Sequence, residues 1–280
     1  MKLRRLLAWL PIERLRHPPP LVAVVRLEGI IGGLGPLRRG LTLARLARGL
    51  ERAFALDGVD TVALAINSPG GSPVQSALIH GRIRALATEH EVRVIAFVED
   101  LAASGGYWLA LAGDEIVADP ASIVGSIGVV TAGFGFAEAI ERLGIERRVH
   151  TAGERKAMLD PFRPETAADV AHLEALQADI HEGFKAIVRE RRGTRLKGDD
   201  TELFSGAFWT GRRARELGLI DALGDLRAVM RARLGERVRF KVMGDERGWL
   251  RRRLGRGGDA WAGNLIAAVE ERLWWGRYGL

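Results

Sequence analysis

Apolar and polar residues along this chain follow two periods in alternation. From Leu21, LVAVVRLEGIIG is rich in β-branched residues and predicts a first strand. LTLARLARGLERAFAL then puts Leu43, Leu46, Ala47, Leu50 and Phe54 at helical spacing, and Asp57-Gly58 ends that helix. VDTVALAINS is almost continuously apolar, the pattern of a strand covered on both faces. After Ser68-Pro69-Gly70-Gly71-Ser72-Pro73, an amphipathic helix is predicted from Val74 to Thr88, followed by a buried strand, VRVIAFVED. Ala102 to Leu111 is predicted as a helix starting at a Ser-Gly-Gly, and EIVAD as a short strand ended by Pro120. Strands alternating with helices predict the α/β class: repeated βαβ units on a mainly parallel sheet, with flanking helices.

His172 to Arg192 predicts one long amphipathic helix, and Gly193 to Asp200 a polar loop. FWTGRRARELGLIDALGD is expected to give a turn, a helix and a closing strand. His17-Pro18-Pro19-Pro20 sets off a basic amphipathic N-terminal tail, residues 1–20, from the folded body, residues 21–243. The C-terminal tail, residues 244–280, is basic and holds Trp249, Trp261, Trp274 and Trp275 on a weakly helical background. The two tails have the character of segments that lie in a membrane interface. Packing on the core or on neighbouring subunits suits them equally.

Composition narrows the chemistry. The chain has no cysteine, which excludes disulfides, thiolate nucleophiles and cysteine metal sites. The net charge is +7, carried mainly by arginine, yet no nucleic-acid module accompanies it and no nucleic-acid partner is expected. No HExxH, EF-hand or Walker pattern occurs, so no metal or other cofactor is expected. No stretch approaches the ~20 apolar residues of a spanning helix. The N-terminus is also a poor secretory signal, its apolar run being short and charge resuming at Glu13. The expectation is a cytoplasmic protein, peripheral on the inner face of the membrane where the tails engage it.

Two loops share one logic, each following a buried strand and opening a helix: Ala65 to Pro73, and Glu99 to Trp108. The first amides of a helix lack intrahelical partners and suit a developing oxyanion. Gly70-Gly71 lets the backbone approach a bound carbonyl, and Gly105-Gly106 leaves room beside Ser104.

AINSPGG, ASGGYWLALAGDEIVADPASIVGSIGV and TAGERKAMLDPFRPET, in that order, resemble the signal peptide peptidase A family. The similarity runs from about Leu21 to about Leu223 and includes FWTGRRARELGLIDALGD. The resemblance implies a Clp protease/crotonase-like core, making residues 21–243 a peptidase domain. It also implies a serine–lysine dyad, with Ser104 as nucleophile, Lys156 as general base and Ser126 as the serine that orients the lysine. The oxyanion donor of the SPGG loop falls on Gly71, and the Clp relatives extend the role to Gly105. Released signal peptides and other extended peptides are the implied substrates, with membrane-protein quality control as a wider role and a homo-oligomer as the working form. One departure is local: Glu154 and Arg155 directly precede Lys156, which changes the charge around the base.

The physics of a dyad can be argued from the residues alone. A serine hydroxyl is a poor nucleophile until a neighbouring base takes its proton. An ordinary lysine, protonated at neutral pH, becomes such a base only when its surroundings lower it by about 3 units, roughly 4 kcal/mol. Ala157, Met158, Leu159 and Phe162 are apolar neighbours that could exclude water there. Only five lysines occur, against a background of arginine, which cannot serve as a base. Ser126 also fits a turn serine, and Ser68 and Ser72 read as turn and cap residues. His150 could complete a Ser-His-Asp set only on paper. Two other functions remain open at this point: a crotonase-like acyl-CoA hydratase or hydrolase, and a catalytically silent peptide-binding scaffold.

Overall fold

A computed structural model describes residues 19–32, 40–243 and 275–279. The glycine loop at 33–39, nearly all of the N-terminal tail and residues 244–274 lie outside the described residues. The elements, in chain order, are β1 (Leu21–Glu28), α1 (Leu43–Phe54), β2 (Val59–Ser68), α2 (Pro73–His90), β3 (Arg93–Ala103) and α3 (Gly105–Ala110). Then follow β4 (Glu115–Ala118), β5 (Ile123–Gly125), α4 (Ala137–Arg142), α5 (Ala167–Arg192), α6 (Asp200–Leu203) and β6 (Phe208–Thr210). The last are α7 (Gly211–Glu216), β7 (Ala222–Leu223), α8 (Leu226–Leu234) and β8 (Arg239–Met243).

Five of these strands line up with β6 in the order β6-β5-β3-β2-β1-β8, and every pairing except β5 with β6 is parallel. β2 is central, and its side chains divide between two cores. Val62, Leu64 and Ile66 face α1 and α2 with Val25 and Leu27, whereas Ala63 and Ala65 face α8 with Val24 and Phe97. Burial on both faces explains why its sequence is continuously apolar rather than alternating.

β3 positions the site because its outer edge is shared. Ile95 to Val98 pair with β4, and Leu101 to Ala103 pair with β5. The strand therefore runs past Asp100, where the sequence pattern ends it. Ala102 and Ala103 were expected in the following helix, but they join the β5 ladder and that helix begins only at Gly105. Alanine's helix preference is weak beside a buried ladder. Tertiary pairing decides.

The long helix α5 also differs from its predicted start. Thr166 caps it, accepting from the Asp169 N–H at 3.2 Å, so it begins five residues before His172. Its C-terminal part is clamped to the core. Trp108 stacks on Phe184 with ring centroids 4.8 Å apart, and the buried Arg192 guanidinium makes a two-pronged bond to Asp221 at 2.8 and 3.0 Å.

Candidate active site

The site is built where β3 gives way to α3. Ser104 turns out of the strand with φ 52° and ψ −122°, a conformation that L residues rarely adopt. A sharp strand-to-helix turn of this kind lifts a hydroxyl clear of the backbone that flanks it. Such a conformation costs of order 1–3 kcal/mol and persists only where neighbours fix it. Here the Ser104 N–H donates to the Gly125 carbonyl at 2.8 Å, and its own carbonyl accepts from the Trp108 N–H at 3.1 Å.

The SPGG loop is pressed against this turn. The Ile31 N–H donates to Gly70 O and the Ser72 N–H to Ile31 O, both at 2.8 Å, so a single residue after β1 holds the SPGG loop on either side of Gly71. Ser68 Oγ donates to Gly29 O at 2.7 Å and accepts the Gly70 N–H at 3.2 Å, while Ser72 caps α2. Both are structural, as their sequence context predicted. A Cβ on Gly70 would stand 2.8 Å from Ser104 Cβ, and one on Gly71 would stand 2.1 Å from Ile31 O. A Cβ on Gly106 would meet Ser68 O at 2.4 Å. Glycine is needed at all three for the loops to touch.

This contact brings two amides together beside Ser104. A Cβ on Gly105 would lie 3.4 Å from the Gly71 nitrogen. Among the described residues neither N–H donates to a backbone carbonyl. Gly105 opens α3, where no intrahelical acceptor exists. Paired free amides next to a hydroxyl can bind an oxygen on which negative charge develops. Ser104 Oγ itself makes no hydrogen bond with a described residue.

Ser126 lies beside the turn, and Lys156 makes no hydrogen bond with it. Because Ala103 pairs with Gly125, the next residues in register are Ser104 and Ser126. Ser126 also has a positive φ, 53°, and its N–H donates to Ala207 O at 2.7 Å. Lys156 sits on the segment between β5 and α5, in a turn where its N–H donates to Gly153 O at 3.2 Å. Asp160 ends that turn, accepting from the Phe162 N–H at 3.1 Å and from Arg147 Nε at 3.0 Å. In the single chain the Lys156 side chain is exposed and joins no other described residue by a hydrogen bond or ion pair. Ala157, Met158, Leu159 and Phe162, expected to exclude water, are half-buried, but they do not cover the amine. His150 is exposed on the same segment.

Peptidase family S49 is the family whose model matches residues 87–238. The chain belongs to that family. It is 31% identical to the chloroplastic serine protease SPPA of Arabidopsis thaliana over 73% of its length, and 34% identical to protease 4 of Haemophilus influenzae over 76%. It is also 52% identical, over 96% of its length, to a Brucella abortus protein named Na(+)/H(+) antiporter NhaA. The chain spans only 38% of that protein, 31% of SPPA and 34% of protease 4. In fold, this S49 chain is similar to the 1510-N membrane-bound stomatin-specific protease, with a TM-score of 0.50 at 14% identity, covering 81% of this chain and 99% of that one. Its Clp protease/crotonase-like α/β core is that of the family.

Several members of the site escape sequence reasoning. Ile31 clamps the SPGG loop through backbone groups, which carry no residue-type signal. Asp160 and Arg147 are thirteen residues apart and ordinary in type. Tyr278, whose hydroxyl lies 3.4 Å from Ser126 Oγ, comes from a tail read only for its tryptophans and arginines. Asp100 and Asp114, which flank the Ser104 segment, accept from Asn67 at 2.7 Å and from Arg84 at 2.7 Å respectively. No group of three or more His, Asp or Glu side chains among the described residues could hold a metal ion. A cavity of about 580 Å³ lined by Val24, Phe97 and Phe240 lies on the α8 face of the sheet, and Ser104 does not line it.

Proposed function

We propose that the chain is a serine endopeptidase using Ser104 as nucleophile and Lys156 as general base, with Ser126 orienting the lysine. The Ser104 turn carries this reading: a strained hydroxyl beside the paired amides of Gly71 and Gly105 is suited to acyl transfer. Ser104 Oγ attacks the scissile carbonyl carbon as its proton passes to the neutral Lys156 Nζ. The oxyanion that forms is held by the two amides. Collapse of the intermediate breaks the C–N bond, and Lys156 returns the proton to the leaving amine. Water then gives a proton to Lys156 Nζ as it attacks the acyl-serine ester, and the lysine returns that proton to Ser104 Oγ as the C–O bond breaks.

The working form in this reading is a homo-oligomer. Lys156 is exposed in the single chain, and its segment also exposes Phe134, Leu143 and Ile145. Contact with further copies would cover these apolar side chains and dry the lysine. Extended peptides are the substrate class, released signal peptides among them and membrane-protein quality control the wider role, as the resemblance of the motifs implies. The protein acts at the cytoplasmic face, held to the membrane peripherally by its tails. Co-sedimentation with liposomes, with and without residues 1–16, tests the N-terminal anchor, and equal binding would remove it.

The crotonase-like alternative is set aside by membership of family S49. The antiporter name of the Brucella relative does not transfer: the chain spans only 38% of that protein, and the peptidase family match lies within the stretch compared. Casein hydrolysis by wild type, Ser104→Ala and Lys156→Arg decides the rest. Both variants should be inactive, and a fluorophosphonate should label wild type at Ser104. Undiminished turnover by Ser104→Ala would end the proposal, and an absence of turnover by all three would leave the silent scaffold.

A further inference from the structure

We propose that Tyr278 is a positioning residue for the reaction, acting through the hydroxyl of Ser126. The inference rests on the serine–lysine reading above. The chain contains two tyrosines, and both hydroxyls are committed. Tyr107 donates to Leu219 O in the core at 2.7 Å, while Tyr278 stands 3.4 Å from Ser126 Oγ.

Tyr278 is 8% exposed although it belongs to a short turn of otherwise open residues. With Trp275 it packs on Leu101, Ala103 and Ile123. These come from the two strands that deliver Ser104 and Ser126. Its ring also meets Phe208 edge-on at 5.0 Å, and Phe208 is the β6 partner of Gly125. The tyrosine thus touches the nucleophile strand and both strands that border Ser126. A tail residue packed for stability alone would need only the ring. The hydroxyl, however, points at the one candidate side chain whose orientation the mechanism uses.

The chemistry gives that contact a direction. A serine oxygen accepting from the lysine stabilises the ammonium more than the neutral amine. A phenolic O–H donating to the same oxygen draws on its lone pairs and weakens it as an acceptor for the ammonium. The base-ready form of the lysine gains, and the Ser126 hydroxyl is held in one rotamer. Loss of the phenol oxygen reverses both effects.

Tyr278→Phe in the full chain removes the oxygen and keeps the ring. Its kcat/KM at neutral pH should fall about fivefold, the value of one net hydrogen bond. The acid limb of the pH profile, which reports the essential base of the free enzyme, should move to higher pH. In a Ser126→Ala background the same substitution should move neither quantity. An unchanged profile overturns the proposal, as does an equal fall at every pH, which would mark a packing role. A gain in activity overturns it too, by making the tail a plug. If Ser104→Ala keeps full turnover, the serine–lysine reading fails first and this inference with it; if Ser104→Ala is dead while Tyr278→Phe matches wild type, only this inference fails.

Discussion

The Ser104 amide donates to the Gly125 carbonyl at 2.8 Å, and this bond sets the two candidate serines side by side. It extends the parallel β3–β5 register by one step beyond Ala103 and Gly125. Both serines then leave their strands with positive φ, 52° and 53°, so both turn out of the sheet at the same level. Residues twenty-two apart in sequence become neighbours through one edge of one strand.

The close approach of the glycine loop makes the first prediction. A methyl group at Gly70 would lie 2.8 Å from Ser104 Cβ, at a residue whose φ of +102° is already hostile to alanine. Gly70→Ala should therefore push the Gly71 amide away from the nucleophile. Removing one oxyanion donor typically costs 10²- to 10³-fold in kcat, and a loss of at least about 10²-fold is expected here. Gly81→Ala, in α2 with open space around its Cα, is the control and should keep full activity. Peptide hydrolysis rates for the two variants check it. Equal activity of Gly70→Ala and wild type would count against the site.

Much of this arrangement is legible in the sequence, for an identifiable reason. Buried parallel strands have no polar face, so VDTVALAINS and VRVIAFVED stand out without an alignment. Glycine and serine at the strand ends mark where the backbone must turn or approach closely. What stays hidden is tertiary. Ala102 and Ala103 read as helix because the β5 ladder that claims them is twenty residues away. Ile31 clamps the SPGG loop with groups every residue possesses. The chain from Gly128 to Thr166 carries the lysine but packs little of itself into the core, so no hydrophobic period announces its geometry.

That exposed segment yields a second prediction. Lys156 makes no bond to Ser104 within one chain, although the mechanism requires the two groups to meet. If another copy supplies the lysine, two defective chains can complement each other. Ser104→Ala and Lys156→Ala, each inactive alone, should regain casein hydrolysis when co-expressed and purified together. Failure of the mixture, with co-assembly verified by differential tags, would mean that each chain completes its own site.

The Arg192–Asp221 pair supports the fold behind α3. Arg192 is nearly enclosed, its Nε donates to Gly218 O at 2.8 Å, and Asp221 also accepts the Ile116 N–H at 2.8 Å. Burial alone would raise the Asp221 carboxyl, but the Arg192 bond and the Ile116 amide hold it below the ordinary range. Arg192→Met would leave the Asp221 carboxylate with only the longer Arg195 contact at 3.4 Å and the Ile116 N–H, and should cost up to about 3 kcal/mol in urea unfolding. Pairing it with Asp221→Leu should recover part of that loss, since an apolar pair needs no compensation. A double variant as unstable as the sum of its singles would refute the coupling.

His80 should make stability depend on pH in a window that opens above that of the carboxylates. It is 8% exposed on α2, and its Nε2 has no hydrogen-bond partner. Burial, then the charge of Arg191 and more weakly that of Arg84, lower its pKa from 6.5 to about 4, against the opposing pull of the Leu111 carbonyl. Asp114 faces the same cluster, bonded to Arg84 at 2.7 Å and 3.6 Å from Arg191. A histidine that charges more readily when unfolded draws the protein towards unfolding as acid is added. Its contribution is whole above about pH 6.5, declines between there and about pH 4, and changes no further below. At pH 5 the linkage amounts to about 2 kcal/mol. His80→Gln removes the titrating group, so urea unfolding of wild type should lose about that much more than the variant between pH 7.5 and 5. Parallel pH curves for the two proteins would mean that His80 charges as easily in the fold as outside it.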